Sequence, residues 1–375
     1  MYSTLRIYML DPLFIQTCML VYCIGKEGPM VHAGAIVAAC MSQGYCCSDG
    51  CVKCCSERAP TSRRAQGGMF SDFQNDKEKR DFVTCGAGAG LAAAFGAPIG
   101  GVLFALEEAS SFWSTKLTWK SFFCAMTSVF TAMLMSSMGS RVGEYAMFSF
   151  GEFYSLSGEI SNYSIWELFV FLVIGAIGGV LGAIFVRCNS YICRYRNEYV
   201  LTDKQRLLEV LLVIIGFTCI SFLLPLFWNT CSSIPTEVVQ WTEQERQLAG
   251  QLVPLYCDKN TQYNELGSLF LTDGDTAIKQ LFHFKELGNG QDDSTIRSSA
   301  LLMFLIVYVG VFCITCGLTM AAGMFVPALL AGACFGRIVG HLLHIFDASH
   351  GTFADAGTYA LMGAAAFTSG ITRIT

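Results

Sequence analysis

The sequence predicts an all-α, polytopic integral membrane protein with tilted, broken helices. Composition is the first reason. Of the 375 residues, 53% are hydrophobic and only 14% are charged, with a mean hydropathy of +0.48; a soluble domain carries about 25% charge. The second is a series of apolar segments at roughly 13–24, 28–43, 82–107, 117–138, 165–186, 208–228, 298–320, 324–346 and 357–372. The third is that several are too short or too glycine-rich to be plain spans of about 20 residues. Broken helices are tolerated at membrane depth only where they are buried in protein or line a cavity, and in transporters such half-helices aim their ends at ions. The net charge of −5 gives no support to a nucleic-acid partner. No basic n-region with a small-residue cleavage site follows Met1.

Residues 1–24 lead into the first motif, "GKEGPMVHAG" (25–34). Gly25, Gly28 and Pro29 mark a helix start. Glu27 stands there between apolar runs, and a carboxylate in the bilayer costs at least ~2.5 kcal/mol on insertion scales, so it is functional by default. A helix N-terminus offers N–H groups and a partial positive charge, which together bind anions. An ionised Glu27 occupies such a site itself; a protonated one loses the attraction and leaves. Glu27 is then a gate that competes with an anion and answers to protons. The competing reading is a Lys26–Glu27 pair snorkelling at a loop. His32 reads as part of the following helix.

The stretch 44–81 carries Lys53, Arg58, Arg63, Arg64, Lys77, Lys79 and Arg80, so it faces the cytosol by the positive-inside rule. Within it, "YCCSDGCVKCC" gathers Cys46, Cys47, Cys51, Cys54 and Cys55; zinc binding, palmitoylation and a flexible reduced loop are its three readings. The next run, "GAGAGLAAAFGAPIGGVLFALEEASSFW" (86–113), ends in Glu107 and Glu108, either a cytosolic fringe or a point of proton entry. Gly88–Ala93 matches the GxGxxA dinucleotide fingerprint. No strand precedes it, and small residues in an apolar run serve membrane-helix packing instead.

Asn162-Tyr163-Ser164 is a glycosylation sequon just before the run at 165. That run spaces Gly175/Gly179 and Gly178/Gly182 as GxxxG pairs, read as close packing within the chain. The stretch 187–206, with Arg187, Arg194, Arg196, Lys204 and Arg206, again faces the cytosol and so places Asn162 outside. The long stretch 229–297 is acid-rich and faces the lumen or the outside; Cys231 and Cys257 within it either form a disulfide or stay as two thiols. Most other cysteines read as small buried hydrophobes. In "AAGMFVPALLAGACFGRIVG" (321–340), Gly323 and Pro327 frame another helix start. Its Met324 and Phe325 amides form a second positive helix end, unless the stretch is only a proline-started helix. His341 and His344 read as a solvated or interfacial face. The five histidines form no metal-ligand cluster, and neither an enzyme nor an organic cofactor is expected.

"GKEGP", "GAPIGGVLFALEE" with "SFW" behind it, and "GMFVP" resemble, in order, three signature regions of the CLC family of chloride channels and chloride/proton exchangers. "EKRDFV", "LTWKSFF", "FGRIVG" and "YALMGAAAF" are similar to its late-endosomal and lysosomal exchanger branch. The likeness runs over 25–375 and implies a CLC-like fold with assigned roles. Glu27 matches the external gating glutamate and Glu108 the internal proton glutamate of exchangers. The amides of Met324 and Phe325 match ligands of the central chloride, and those of Lys26 and Gly28 lie near the outer anion site. Gly25, Pro29, Gly323 and Pro327 shape these motifs. The resemblance also implies a homodimer with one pore per subunit, chloride and protons as cargo, a lipid setting and no organic cofactor. It implies a late-endosomal or lysosomal location, with the plasma membrane as the alternative.

The family's Gly-Ser-Gly-Ile-Pro-type motif has no counterpart in 1–24, and the sequence ends at "GITRIT" before the family's last helices, its anion-coordinating tyrosine and its cytosolic regulatory domain pair. The sequence thus reads as a divergent lead-in (1–24) and a partial CLC-like transmembrane domain (25–375), truncated at both ends, with a cytosolic loop at 44–81 and a luminal loop at 229–297. Three functions are open: chloride/proton exchange through a glutamate gate, a non-transporting subunit that dimerises with a full-length family member, and a passive voltage-gated chloride channel. Glu108 argues against the last.

Overall fold

The computed structural model describes residues 25, 27–43, 75–137, 165–228, 230–233, 248–258, 262–284, 295–319, 322–346 and 354–372. The lead-in 1–24, Lys26, Asn162 and the cysteines between 46 and 55 lie outside them. The chain forms two compact units, one of Lys26–Met147 and one of Phe148–Thr375 with Met1–Gly25.

The first unit holds α1 (Glu27–Gln43), α2 (Asp76–Phe95), α3 (Pro98–Phe104) and α4 (Thr115–Ser137). Helices α1 and α2 run antiparallel with their backbones in contact. A Cβ added at Gly34 would lie 2.2 Å from the Gly86 carbonyl oxygen, and one at Gly90 2.3 Å from that of Met30. The "GAGAGLAAA" run is therefore a packing surface, as small residues in membrane helices are. The apolar stretch at 82–107 is not one helix. It starts earlier, at Asp76, and stops at Gly96, which turns left-handed (φ 65°) while its N–H bonds the Ala92 carbonyl. Pro98 then opens α3 at its first position, where a missing N–H costs nothing. Helix α3 folds back on α2 through Gly101, whose added Cβ would lie 2.5 Å from the Gly88 carbonyl oxygen. It widens into a π turn at Ala105–Ala109. Ala92, Val102, Ala125 and Val129 form the core, and Ser128 ties α4 to the Ala89 carbonyl at 3.1 Å.

The second unit runs α5 (Ile165–Tyr199), α6 (Asp203–Phe227), β1 (Cys231–Ser233), β2 (Gln262–Asn264), α7 (Glu265–Leu271), α8 (Gly274–His283), α9 (Ser298–Thr315), α10 (Phe325–Phe346) and α11 (Ala356–Thr372). At 35 residues, α5 is about 52 Å long. It continues as helix through much of the basic stretch at 187–206, because arginine is a good helix former as well as a topology signal. Its Gly178 and Gly182 pack on α11, where added Cβ atoms would lie 2.6 Å from Ala366 and 2.7 Å from Gly370; at Gly175 and Gly179 an added Cβ meets nothing within 4 Å. Helices α10 and α11 meet more closely still, and a Cβ at Gly336 would lie 2.1 Å from the Tyr359 carbonyl oxygen. Among the described residues, five helices (α4, α5, α6, α9 and α10) are long and apolar enough to cross a membrane. Trp119, Phe123, Leu172, Leu212 and Ile306 stand exposed along them, as lipid-facing side chains do.

The acid-rich stretch has structure of its own. β1 pairs antiparallel with β2, and Cys231 and Cys257 form a disulfide with Cα atoms 6.0 Å apart. Glu265 is wholly buried at the start of α7. Its carboxylate accepts hydrogen bonds from the Ser232 hydroxyl and the Arg297 N–H (3.2 Å), and lies 3.7 Å from Arg297 Nε. Arg337 on α10 is also wholly buried; it donates to the carbonyls of Leu281 (2.5 Å) and Phe284 (2.8 Å) and to Thr295 Oγ1 (3.3 Å). It thereby caps the C-terminal end of α8, where carbonyls lack helical partners. The reading of His341 and His344 as a solvated face is corrected. His341 is only 5% exposed, with Nδ1 3.0 Å from Ser298 Oγ, and the half-buried His344 donates from Nε2 to the Ala354 carbonyl at 3.2 Å. The close packing of α10 against its neighbours encloses both rings.

Two predictions follow from this packing. Gly336→Ala destabilises the protein by at least about 1–3 kcal/mol, since backbone must move, whereas Gly175→Ala is neutral; thermal unfolding in detergent separates them. Burial, outweighing its hydrogen bonds, holds the Glu265 carboxyl above its ordinary value of 4.5. The folded chain then keeps a proton the unfolded chain has lost, so this contribution to stability is full below the ordinary value and declines as pH rises through the raised one. Unfolding followed from acid to neutral pH shows that decline in the native protein and a flatter profile in Glu265→Gln.

Candidate functional site

Two helices begin on one pattern. In "GKEGP", Gly25 has a positive φ of 74°, Glu27 is the first residue of α1 and Pro29 the third. In "GMFVP", Phe325 is the first residue of α10 and Pro327 the third. Proline fits there because the N–H it lacks has no acceptor within the helix. The Ala328 N–H closes the first turn of α10 on the Met324 carbonyl at 3.2 Å, which makes Met324 the capping residue. Each start therefore directs the amides of its first turn along the helix axis, with the partial positive charge of the dipole behind them. Gly323 and Pro327 are buried, Phe325 is half-buried and Met324 is exposed.

Glu27 is 4% exposed. Gly28 behind it is half-buried and keeps the second position free of a side chain. A carboxylate here is favoured as an anion by the helix dipole, by up to ~2 kcal/mol in partly buried geometry, and disfavoured by desolvation. Protonation removes the first effect and relieves the second.

Glu107 and Glu108 lie in the π turn that ends α3, and both are exposed. π turns recur at functional sites because the widened ladder re-aims side chains. The segment after the turn and the starts of α2 and α4 make contacts of their own. Arg80 lies 4.9 Å over the Phe112 ring, Lys120 is 3.5 Å from Glu78, and the Trp113 indole donates to Thr118 Oγ1 at 2.8 Å. Met30 touches Gly90 and Ala105 touches Gly88. One unit thus carries a buried carboxyl at the start of α1 and exposed ones in the π turn after α3, with both helices packed on the small residues of α2. Gly323, Met324, Phe325 and Pro327 belong to the other unit.

Two buried cations escaped the sequence reading as site residues. Arg196 and Arg337 each satisfy carbonyls at the end of a neighbouring helix. A lone arginine in or beside an apolar run is the signal that marks them. Among the described residues, no group of three or more His, Cys, Asp or Glu side chains is placed to hold a metal.

The sequence model of the voltage gated chloride channel family matches residues 13–375, reaching into the lead-in. The "H(+)/Cl(-) exchange transporter 7" of Mus musculus is 36% identical over 356 residues, covering 94% of this chain and 40% of its own length; the Homo sapiens protein of that name gives the same figures. "Chloride channel protein CLC-d" of Arabidopsis thaliana is 34% identical over 360 residues, covering 94% of this chain and 42% of its own. The chain therefore spans about two fifths of these relatives. Among solved structures, a eukaryotic CLC transporter matches with a TM-score of 0.56 at 23% identity, covering 93% of this chain and 44% of that one. A slow cyanobacterial Cl-/H+ antiporter matches with a TM-score of 0.54 at 18% identity, covering 92% and 59%. The broken helices, the paired Gly-x-x-x-Pro starts and these matches agree: this chain belongs to the voltage-gated chloride channel family and has the CLC fold.

Proposed function

We propose that the chain contributes the anion pathway of a chloride/proton exchanger, with Glu27 as its gate. The observation that carries this reading is the buried Glu27 carboxylate at the first position of α1. The names of the relatives that are 36% identical support exchange rather than passive conduction. In this reading chloride is held by the backbone amides of Met324 and Phe325, with those of Lys26 and Gly28 beside an outer site. Ionised Glu27 competes with chloride for positive helix-end charge. A proton reaching Glu27 neutralises it and lets chloride in, and chloride entry drives the carboxyl aside to give up its proton. Glu108, exposed in its π turn, exchanges protons with water. No metal or organic cofactor takes part.

The same reading gives a homodimer, or a dimer with a full-length family member, in the membrane of late endosomes or lysosomes. The exchanger-branch phrases support that location, and the Cys231–Cys257 disulfide suits a lobe on the oxidising side.

The test is flux from the full-length protein in proteoliposomes. Glu27→Ala keeps chloride movement and lowers coupled proton movement by on the order of 100-fold. Glu108→Ala gives the same loss of coupling with the gate intact. Proton flux that survives both substitutions sinks the exchanger reading.

A further inference from the structure

We infer that Arg196 is a positioning residue for the anion-binding start of α10; this rests on the reading of Met324 and Phe325 as chloride ligands. Arg196 lies in the last turn of α5 and is only 8% exposed. Its Nε donates to Glu209 Oε1 of α6 at 2.5 Å. Its Nη1 donates to the Cys316 carbonyl at 2.9 Å, and its Nη2 to the Ile314 carbonyl. These are carbonyls at the C-terminal end of α9, which have no acceptor role left inside the helix. The planar guanidinium fork serves two of them while Glu209 balances the charge and fixes the fork's orientation.

The clamped turn is constrained from a second side. Gly317 has a positive φ of 87°, and a Cβ there would lie 2.5 Å from Cys193 Sγ and 3.4 Å from Arg196 Nη1. Helix α5 thus presses on this turn with Cys193 and holds it with Arg196. In sequence, seven residues separate Gly317 from Phe325, and the first of them, Leu318, is buried with its N–H toward the Thr315 carbonyl at 3.4 Å. Downstream, α10 is fixed by glycine packing on α11 and by Arg337. The helix start is therefore held from both directions, and Arg196 sets the upstream one. Arg196 takes no part in the α5–α11 or α10–α11 glycine contacts, so its loss frees the turn while leaving the helix core packed. Backbone amides cannot follow a ligand by changing rotamer, so a displaced turn shows directly as weaker anion binding.

The experiment is calorimetric titration of chloride into the purified full-length protein, with the melting temperature measured alongside. Arg196→Gln weakens chloride binding roughly tenfold, the scale of a small misplacement of a binding group. Gly317→Ala does likewise from the other side of the turn without removing a charge, and it carries the test should Arg196→Gln fail to fold. Arg196→Lys recovers part of the affinity, since an ammonium keeps the charge but not the fork. The destabilising control Gly101→Ala, whose Cβ would lie 2.5 Å from the Gly88 carbonyl oxygen in the first unit, lowers the melting temperature and leaves chloride affinity unchanged. A lower melting temperature with native chloride affinity in Arg196→Gln or Gly317→Ala overturns the inference. A native protein that binds no chloride overturns the site reading beneath it instead.

Discussion

A helix broken inside a bilayer leaves backbone groups that no water can reach, and the rest of this chain depends on how those groups are satisfied. At Gly96 the break is closed locally, by a left-handed residue whose N–H returns to Ala92 and by a proline that needs no acceptor. At the end of α9 it is closed at a distance, by Arg196, and Arg337 closes the end of α8 in the acid-rich stretch in the same way. Both methods need neighbouring helices to come close. Glycine at positions 34, 86, 90, 332, 336 and 363 allows that, because any side chain there would strike backbone. Close backbone approach and interrupted helices are thus two halves of one solution.

The same constraint generates the chemistry. A helix that starts at membrane depth has to place its first amides somewhere, and the Gly-x-x-x-Pro pattern aims them along the axis rather than into a cap supplied by Ser, Thr or Asp. The start of α1 then supplies a carboxylate from its own first residue, while the start of α10 supplies none. One helix end thus has a carboxyl side chain of its own, and the other has only backbone amides. The π turn at Glu107 and Glu108 adds two exposed carboxyl groups to the same unit as Glu27.

Much of this could be read from the residues. Apolar runs marked nearly every long helix, and Gly and Pro marked the first residues of α1 and α10 to within one position. The break at Gly96–Pro98 was harder to see, because the apolar run around it continues without a charge. The length of α5 was hidden for the opposite reason: Arg187, Arg194 and Arg196 read as a polar boundary, yet they continue a helix. The stretch after α6 was read by its net charge, and net charge does not reveal that Glu265 is wholly enclosed by Ser232 and Arg297. The arginine clamps left little trace, since their partners are carbonyl oxygens, which every residue has. The sequence shows where a chain turns polar; it does not show which polar group ends up inside.

Helix α5 is about 20 Å longer than a hydrocarbon core of about 30 Å, and Arg196 sits near its end. A rod that outreaches the bilayer behaves as a lever. Tilting it by about 5° moves a point 20 Å from the pivot by about 2 Å, well within the range of tilts that membrane helices adopt. Because the far end of the rod grips the turn after α9, any such tilt reaches that turn through a single guanidinium.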